Sequence, residues 1–386
     1  MKKIFILIIC LIMCFLLFVF FNNNYIKKIT KKEYEVRDST EDEVSNDLFS
    51  KYYDKASDIV NQMSLEEKVG QLFLVRYDTN LVNNEISNYH PGGYIFFAKD
   101  FEGEDKISFK NKIDQYQDIS KIPLIIAVDE EGGYVTRVSR FKNFRDSKFL
   151  SPREIYDQGG YPLLEKQEKE KAELLLSIGI NLNLAPVSDV SVDSNDYIYN
   201  RSFGYDAKET SIFVKNMVNY ANSSGISSCL KHFPGYGNNV DTHTGVAIDN
   251  RSYDSFLEND FLPFKSGIDE GVPAILFSHN VVNSIDSKYP SSLSLKMHKE
   301  LRENLGFSGI IITDDLAMDA VKSYVDDGNA ATLAVNSLND LIITSNFSNM
   351  YNEVLNSIKN KEIDISIVNK AVKRIIAYKY QYGIIK

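Results

Sequence analysis

The chain has 386 residues, 44% of them hydrophobic, enough for one large domain or two modest ones. A net charge of −10 argues against general affinity for nucleic acid. Cys10 and Cys14 fall in an apolar N-terminal segment and Cys229 stands alone, so the body has neither a disulfide framework nor a metal-ligand spacing.

Met1-Lys2-Lys3 precedes Ile4–Phe21, eighteen residues without a charge. A bilayer crossing takes about 20 residues, and no A-x-A-like cleavage site follows. Residues 1–25 are therefore expected to be an uncleaved membrane anchor, with a cleaved signal as the alternative. Lys27, Lys28, Lys31 and Lys32 follow the segment, against Lys2 and Lys3 before it. The basic-residue rule thus does not favour an outside C-terminus. An anchor so near the N-terminus still favours export. The expected location is the cell membrane with the folded domain outside, or secretion. Residues 26–50 read as a polar linker, and 51–386 as one folded domain.

Ser64 and Glu67 form a capping box that opens the body. Apolar runs of strand length then recur at Leu72–Val75, Gly93–Phe97, Pro123–Val128, Asn181–Val187, Ser228–Leu230, Ala274–Phe277, Gly309–Ile312 and Leu341–Ile343. Helical spacing appears between most of them, at Ile107–Ile119, Leu164–Leu175, Lys208–Ala221, Phe256–Ile268, Leu293–Leu305, Ala317–Tyr324 and Met350–Ile358. Ile365–Tyr380 closes the chain as a last helix. The interval between the first two strands is poorly periodic, with room for only a short helix. Eight apolar strands alternating with helices imply a parallel (β/α)8 TIM-type barrel, with a doubly wound open sheet as the alternative.

A barrel places its chemistry just after its strands. Asp129-Glu130-Glu131, Ser188-Asp189, Lys231-His232, Ser278-His279, Asp314-Asp315 and Ser345 hold those positions. Successive strand residues point opposite ways, so one of Asp314 and Asp315 faces the mouth and the other the wall, where Asp suits a helix N-cap. Asp241-Thr242-His243 sets two residues on one side of an extended loop. Asp241 there orients one imidazole nitrogen and leaves the other basic; a solvent-exposed Asp-x-His is the alternative. Lys231-His232 reads either as an ion-paired lysine beside a packed histidine or as a pair of ligand contacts. The acids at 129–131 can hold a metal or sugar hydroxyls. No matching set of hard ligands supports the metal. Gly132-Gly133 is not a phosphate loop, since no Gly-Lys-Ser/Thr follows. No cofactor or metal is expected.

Lys231–Gly237 followed by Asp241-Thr242-His243 resembles the K-H-F-P-G-H-G-x(n)-D-[ST]-H signature of glycoside hydrolase family 3, in its bacterial β-N-acetylglucosaminidase subgroup. Met63–Gln71, Asp129–Gly133, Leu184–Val187, Asn200–Gly204 and Ile312–Met318 resemble its other blocks, in order along the body. The resemblance implies a retaining, exo-acting β-N-acetylhexosaminidase acting on terminal N-acetylglucosamine of cell-wall glycans. Asp314 matches the nucleophile, leaving Asp315 the cap. His243 matches the acid/base and Asp241 its partner. Asp129, Arg201, Lys231 and His232 match residues that hold the sugar. Two positions depart from the pattern: Tyr236 stands for a more usual histidine, and Tyr134 for an arginine. A phosphorylase, a β-glucosidase or xylosidase, and a non-catalytic wall-binding protein remain alternatives on this scaffold.

Overall fold

The computed structural model describes residues 47–239, 247–318, 321, 324–325 and 329–386. The expected membrane segment, the linker up to residue 46, and the Asp241 and His243 positions lie outside the described residues. Within them, no helix is long and apolar enough to cross a membrane.

All eight expected strands are present: β1 Phe73–Arg76, β2 Gly93–Phe96, β3 Ile125–Val128, β4 Leu182–Asn183, β5 Ser227–Phe233, β6 Ala274–Phe277, β7 Ile310–Thr313 and β8 Ile342–Thr344. They form one parallel sheet in the order β8-β1-β2-β3-β4-β5-β6-β7. A single parallel bridge, Ile312 to Leu341, joins β7 to β8 and nearly closes the ring. Buried on both faces, most of the strands read as apolar runs. Gly93 is obligatory in β2, because a Cβ there would stand 2.2 Å from the Ile125 carbonyl oxygen on β3.

Two strand boundaries differ from expectation, and both matter at the mouth. β4 stops at Asn183 rather than continuing to Val187. Pro186 has no N–H for the ladder, and the chain onward pairs irregularly. The Ser188 N–H donates to the Lys231 carbonyl at 2.6 Å, and the Lys231 N–H donates to the Pro186 carbonyl at 3.3 Å. β5 runs longer than expected, so Lys231 and His232 belong to the strand instead of following it. The register with β6 slips between Lys231 and Phe233. Such a bulge re-aims side chains, and here both Lys231 and His232 line the mouth.

The capping box of Ser64 and Glu67 forms as expected, with the Glu67 N–H on Ser64 Oγ at 3.1 Å and the Ser64 N–H on Glu67 Oε2 at 2.8 Å. The interval between β1 and β2 holds only the short helix Val82–Tyr89. The helix expected over Leu164–Leu175 begins earlier, at Pro152, behind a second capping box of Ser151 and Glu154. Gly160, at φ 63°, kinks it two residues before Pro162, which is why its first half does not share the helical period of the second. A helix at Tyr53–Gln62 was not expected. It packs on the last helix, Ile365–Gln381, where Tyr52 stacks on Tyr380 with ring centroids 5.7 Å apart.

That last helix buries a lysine. Lys379 is fully enclosed and its amine donates to Gln71 Oε1 at 2.8 Å. Burial pushes its pKa down to about 7. A base whose folded pKa lies below its unfolded one, near 10.4, costs stability in full below pH 7. The cost fades as pH rises through that window. Lys379→Met is expected to raise the melting temperature at pH 6 by several degrees, from a gain of a few kcal/mol. The gain should shrink steadily toward pH 10. Thermal unfolding of both proteins across that range checks it, and a pH-independent difference contradicts it.

Candidate active site

A cavity of about 350 Å³ opens at the C-terminal ends of the strands. Asp129, Glu131, Arg137, Arg201, Lys231, His232 and Asp314 all line it. Five of the residues singled out by sequence are thus gathered from four different strand ends: Asp129, Arg201, Lys231, His232 and Asp314.

Its deep end is a buried charge network. The Lys231 ammonium lies 2.7 Å from Asp129 Oδ1 and 2.6 Å from Glu131 Oε1. Arg201 meets Glu131 with two nitrogens, Nη2 to Oε1 at 2.7 Å and Nε to Oε2 at 3.1 Å. This bidentate pair ties the loop after β3 to the loop after β4. Burial alone would raise the Glu131 pKa, but the Arg201 and Lys231 charges outweigh it and hold the carboxyl far below the usual carboxylate range. Burial likewise pulls Lys231 down, and Asp129 and Glu131 more than reverse it. The lysine is at once structural and a lining group, so the two readings of Lys231 are not exclusive.

His232 sits in the wall on the other side of Arg201. Its Nδ1 lies 2.8 Å from Asp189 Oδ2, and its Nε2 lies 3.1 Å from Arg201 Nη2. A guanidinium can only donate, so Nε2 is the acceptor and Nδ1 carries the proton. Burial lowers the imidazole pKa and the Arg201 and Lys231 charges add to this, against the opposing pull of Asp189. The ring is therefore neutral and fixed in one tautomer. Asp189 also accepts from the backbone N–H of His232 at 3.1 Å and of Tyr236 at 2.8 Å.

The three consecutive acids after β3 divide their work. Asp129 faces the cavity, with Arg137 Nη2 at 3.5 Å from its Oδ2. Glu130 turns inward, where it accepts the backbone N–H groups of Arg137 at 2.7 Å and Val138 at 2.8 Å, and the Ser139 hydroxyl. Gly132 and Gly133, at φ 98° and 64°, make the tight turn between Glu131 and Val135.

Asp314 lies across the mouth at the end of β7. Its N–H donates to the Phe277 carbonyl of β6 at 3.1 Å, and its Oδ1 accepts the Asp315 N–H at 2.8 Å. Asp315 also lines the cavity and caps no helix among the described residues; its Oδ1 ties the turn that follows, accepting the N–H of Ala317 at 2.9 Å and of Ser345 at 3.2 Å. His279 Nε2 donates to the Asp315 carbonyl at 3.1 Å. The Asp314-Asp315 pair is thus locked to strands on both sides.

Sequence reasoning passed over Arg137 and gave Glu131 and Asp189 no specific role. Arg137 sits eight residues past Asp129 in a loop with no periodicity, so only the return of the Gly132–Val135 turn brings it back to the mouth. The pairing of Glu131 with Arg201 and of Asp189 with His232 spans 70 and 43 residues, beyond any local signal.

The family description "Glycosyl hydrolase family 3 N terminal domain" matches residues 64–378. A β-hexosaminidase of Methylobacillus flagellatus is 30% identical over 303 residues, covering 75% of this chain and 84% of that protein. One of Photobacterium profundum is 32% identical over 272 residues, covering 68% and 78%. Among solved structures, the β-N-acetylhexosaminidase from Beutenbergia cavernae superposes with a TM-score of 0.72 at 26% identity, over 83% of this chain and 99% of that one. A family 3 β-N-acetylglucosaminidase from Paenibacillus gives 0.78 at 24% identity, with 83% of this chain matched to 63% of that longer one. At that identity the likeness is one of fold.

Proposed function

Because the chain belongs to glycosyl hydrolase family 3 and is therefore a glycosidase, we propose that it is an exo-acting, retaining β-N-acetylhexosaminidase. The observation that carries this is the single cavity shared by Asp314 and the polar set of Asp129, Arg201, Lys231 and His232. One uncharged sugar ring can be gripped there through its hydroxyls while a carboxylate faces its anomeric carbon. The β-hexosaminidase names of the relatives agree with an N-acetylated substrate.

In the first step an Asp314 oxygen bonds to the anomeric carbon and the glycosidic C–O bond breaks. The His243 imidazolium, oriented by Asp241, gives its proton to the departing oxygen. In the second step a water oxygen attacks the same carbon and its proton passes to the His243 imidazole. The bond to Asp314 breaks, which restores the carboxylate. The substrate we propose is a terminal N-acetylglucosamine of cell-wall glycans. The apolar N-terminal segment would place the enzyme outside the membrane, anchored or released.

Release of 4-nitrophenol from its β-N-acetylglucosaminide, with retention of anomeric configuration, tests the reading; a folded, intact preparation without turnover would sink it. Running the assay with and without phosphate separates hydrolysis from phosphorolysis, and unsubstituted glucosides test the glucosidase alternative. His243→Ala is expected to slow aliphatic glycosides at least tenfold more than the 4-nitrophenyl glycoside, since a good leaving group needs little acid help. Equal losses on both would exclude the acid role.

A further inference from the structure

Three large apolar side chains stand exposed on the two loops that follow β3 and β4: Tyr134, Val192 and Tyr197, at 75%, 65% and 37% exposure. The Glu131–Arg201 pair holds these loops together beneath them. Tyr197 lines the same cavity as Asp314 and Arg201. It is nevertheless far more open than Lys231 or His232, which are 2% and 4% exposed. The charged set therefore forms the floor and Tyr197 the outer wall.

That wall is braced from behind. The Tyr197 ring lies against Tyr236, with centroids 5.7 Å apart and planes at 51°. Tyr236 is itself buried, stands edge-on to His232 at 5.1 Å, and is held through its N–H by Asp189 at 2.8 Å. Val187 and Ile198 complete the small apolar cluster around it. Tyr236 thus links the wall to the floor. A half-open aromatic ring on a rigid backing, at the rim of a hydroxyl-binding pocket, offers a flat apolar face at little entropic cost.

We propose that Tyr197, braced by Tyr236, is the acceptor-side platform, on which the second pyranose of the substrate lays its C–H face. The proposal rests on the hexosaminidase reading and adds to it. An exo-acting enzyme seats the terminal sugar on the floor, so the next unit must leave through the mouth, past the rim that these loops form. The platform makes the enzyme prefer glycan over small aglycones.

The test compares kcat/KM for two substrates, N,N′-diacetylchitobiose and methyl β-N-acetylglucosaminide. The methyl group is too short to reach the rim. Tyr197→Ala is expected to lower the disaccharide-to-methyl ratio about tenfold, as a loss of ring contact. Tyr197→Phe, which keeps the ring, should hold the ratio near the wild-type value. An unchanged ratio in Tyr197→Ala, or a Phe variant as poor as the Ala variant, would overturn the platform. Should Tyr197→Ala fail to fold, Tyr197→Leu and Tyr197→Phe still decide the matter, because an unchanged ratio in the first or a lost ratio in the second contradicts the proposal. A wild-type protein that turns over neither sugar would overturn the hexosaminidase reading itself, and the platform with it.

Discussion

Asp314→Ala is expected to lower kcat on a 4-nitrophenyl β-N-acetylglucosaminide by roughly four orders of magnitude or more, as loss of a covalent nucleophile does. The protein should stay folded. The hydrogen bond from the Asp315 N–H to Asp314 Oδ1 is worth about 1 kcal/mol. The turn keeps its other ties, from the Asp314 N–H to Phe277 and from Asp315 to Ala317 and Ser345. Azide should restore part of the rate, because a small anion can enter where the carboxylate stood. The product would then be the glycosyl azide of opposite anomeric configuration. In the wild type, a 2-fluoro sugar should leave an adduct whose mass maps to the peptide holding Asp314. An adduct on another residue, or a variant with near-normal turnover, would remove Asp314 from the reaction.

The second large effect is expected at Lys231. Lys231→Met takes away the cation that Asp129 and Glu131 share at 2.7 and 2.6 Å. Breaking a buried pair on one side typically costs about 3–5 kcal/mol, since the remaining charge stays enclosed. A fall in melting temperature of several degrees should accompany a loss in kcat/KM of about a hundredfold or more. The pH dependence gives the sign. Glu131 has its folded pKa far below its unfolded one, so its contribution is present above the ordinary glutamate value near 4.3 and is lost progressively as pH falls from there toward the folded value. The stability gap between wild type and variant should accordingly narrow in strong acid. Thermal unfolding at intervals from pH 7 down to about pH 2.5 measures this. A gap of constant width over that whole range would mean that the lysine acts by packing alone.

Much of the fold was legible before any coordinates. Strand after strand is a short apolar run closed by polar residues, and the Ser64–Glu67 box marks the helix that leads into β1. The Asp314-Asp315 pair was only partly legible: Asp315 does tie the following turn, but both carboxylates line the cavity. Reading failed at the start of the body and at the end of β5. The helix at Tyr53–Gln62 does carry apolar residues at helical spacing but is only ten residues long, and Ala56 and Val60 are buried as it packs on the last helix. Lys231 and His232 were placed beyond β5 because polar residues usually end a strand, yet a register slip keeps them inside it.

The order of the strands' apolar runs, the acids and bases that end them, and the motif linking Lys231 to His243 are all properties of the chain read alone. They determined a barrel and the set of residues able to do chemistry at one end of it. Which of those residues neutralise each other was decided only in three dimensions. Glu131 finds Arg201, and Asp189 finds His232, across stretches of 70 and 43 residues. Those partnerships follow from the parallel pairing of β3, β4 and β5, which sets neighbouring strand ends side by side over a buried space where a charge must be paired.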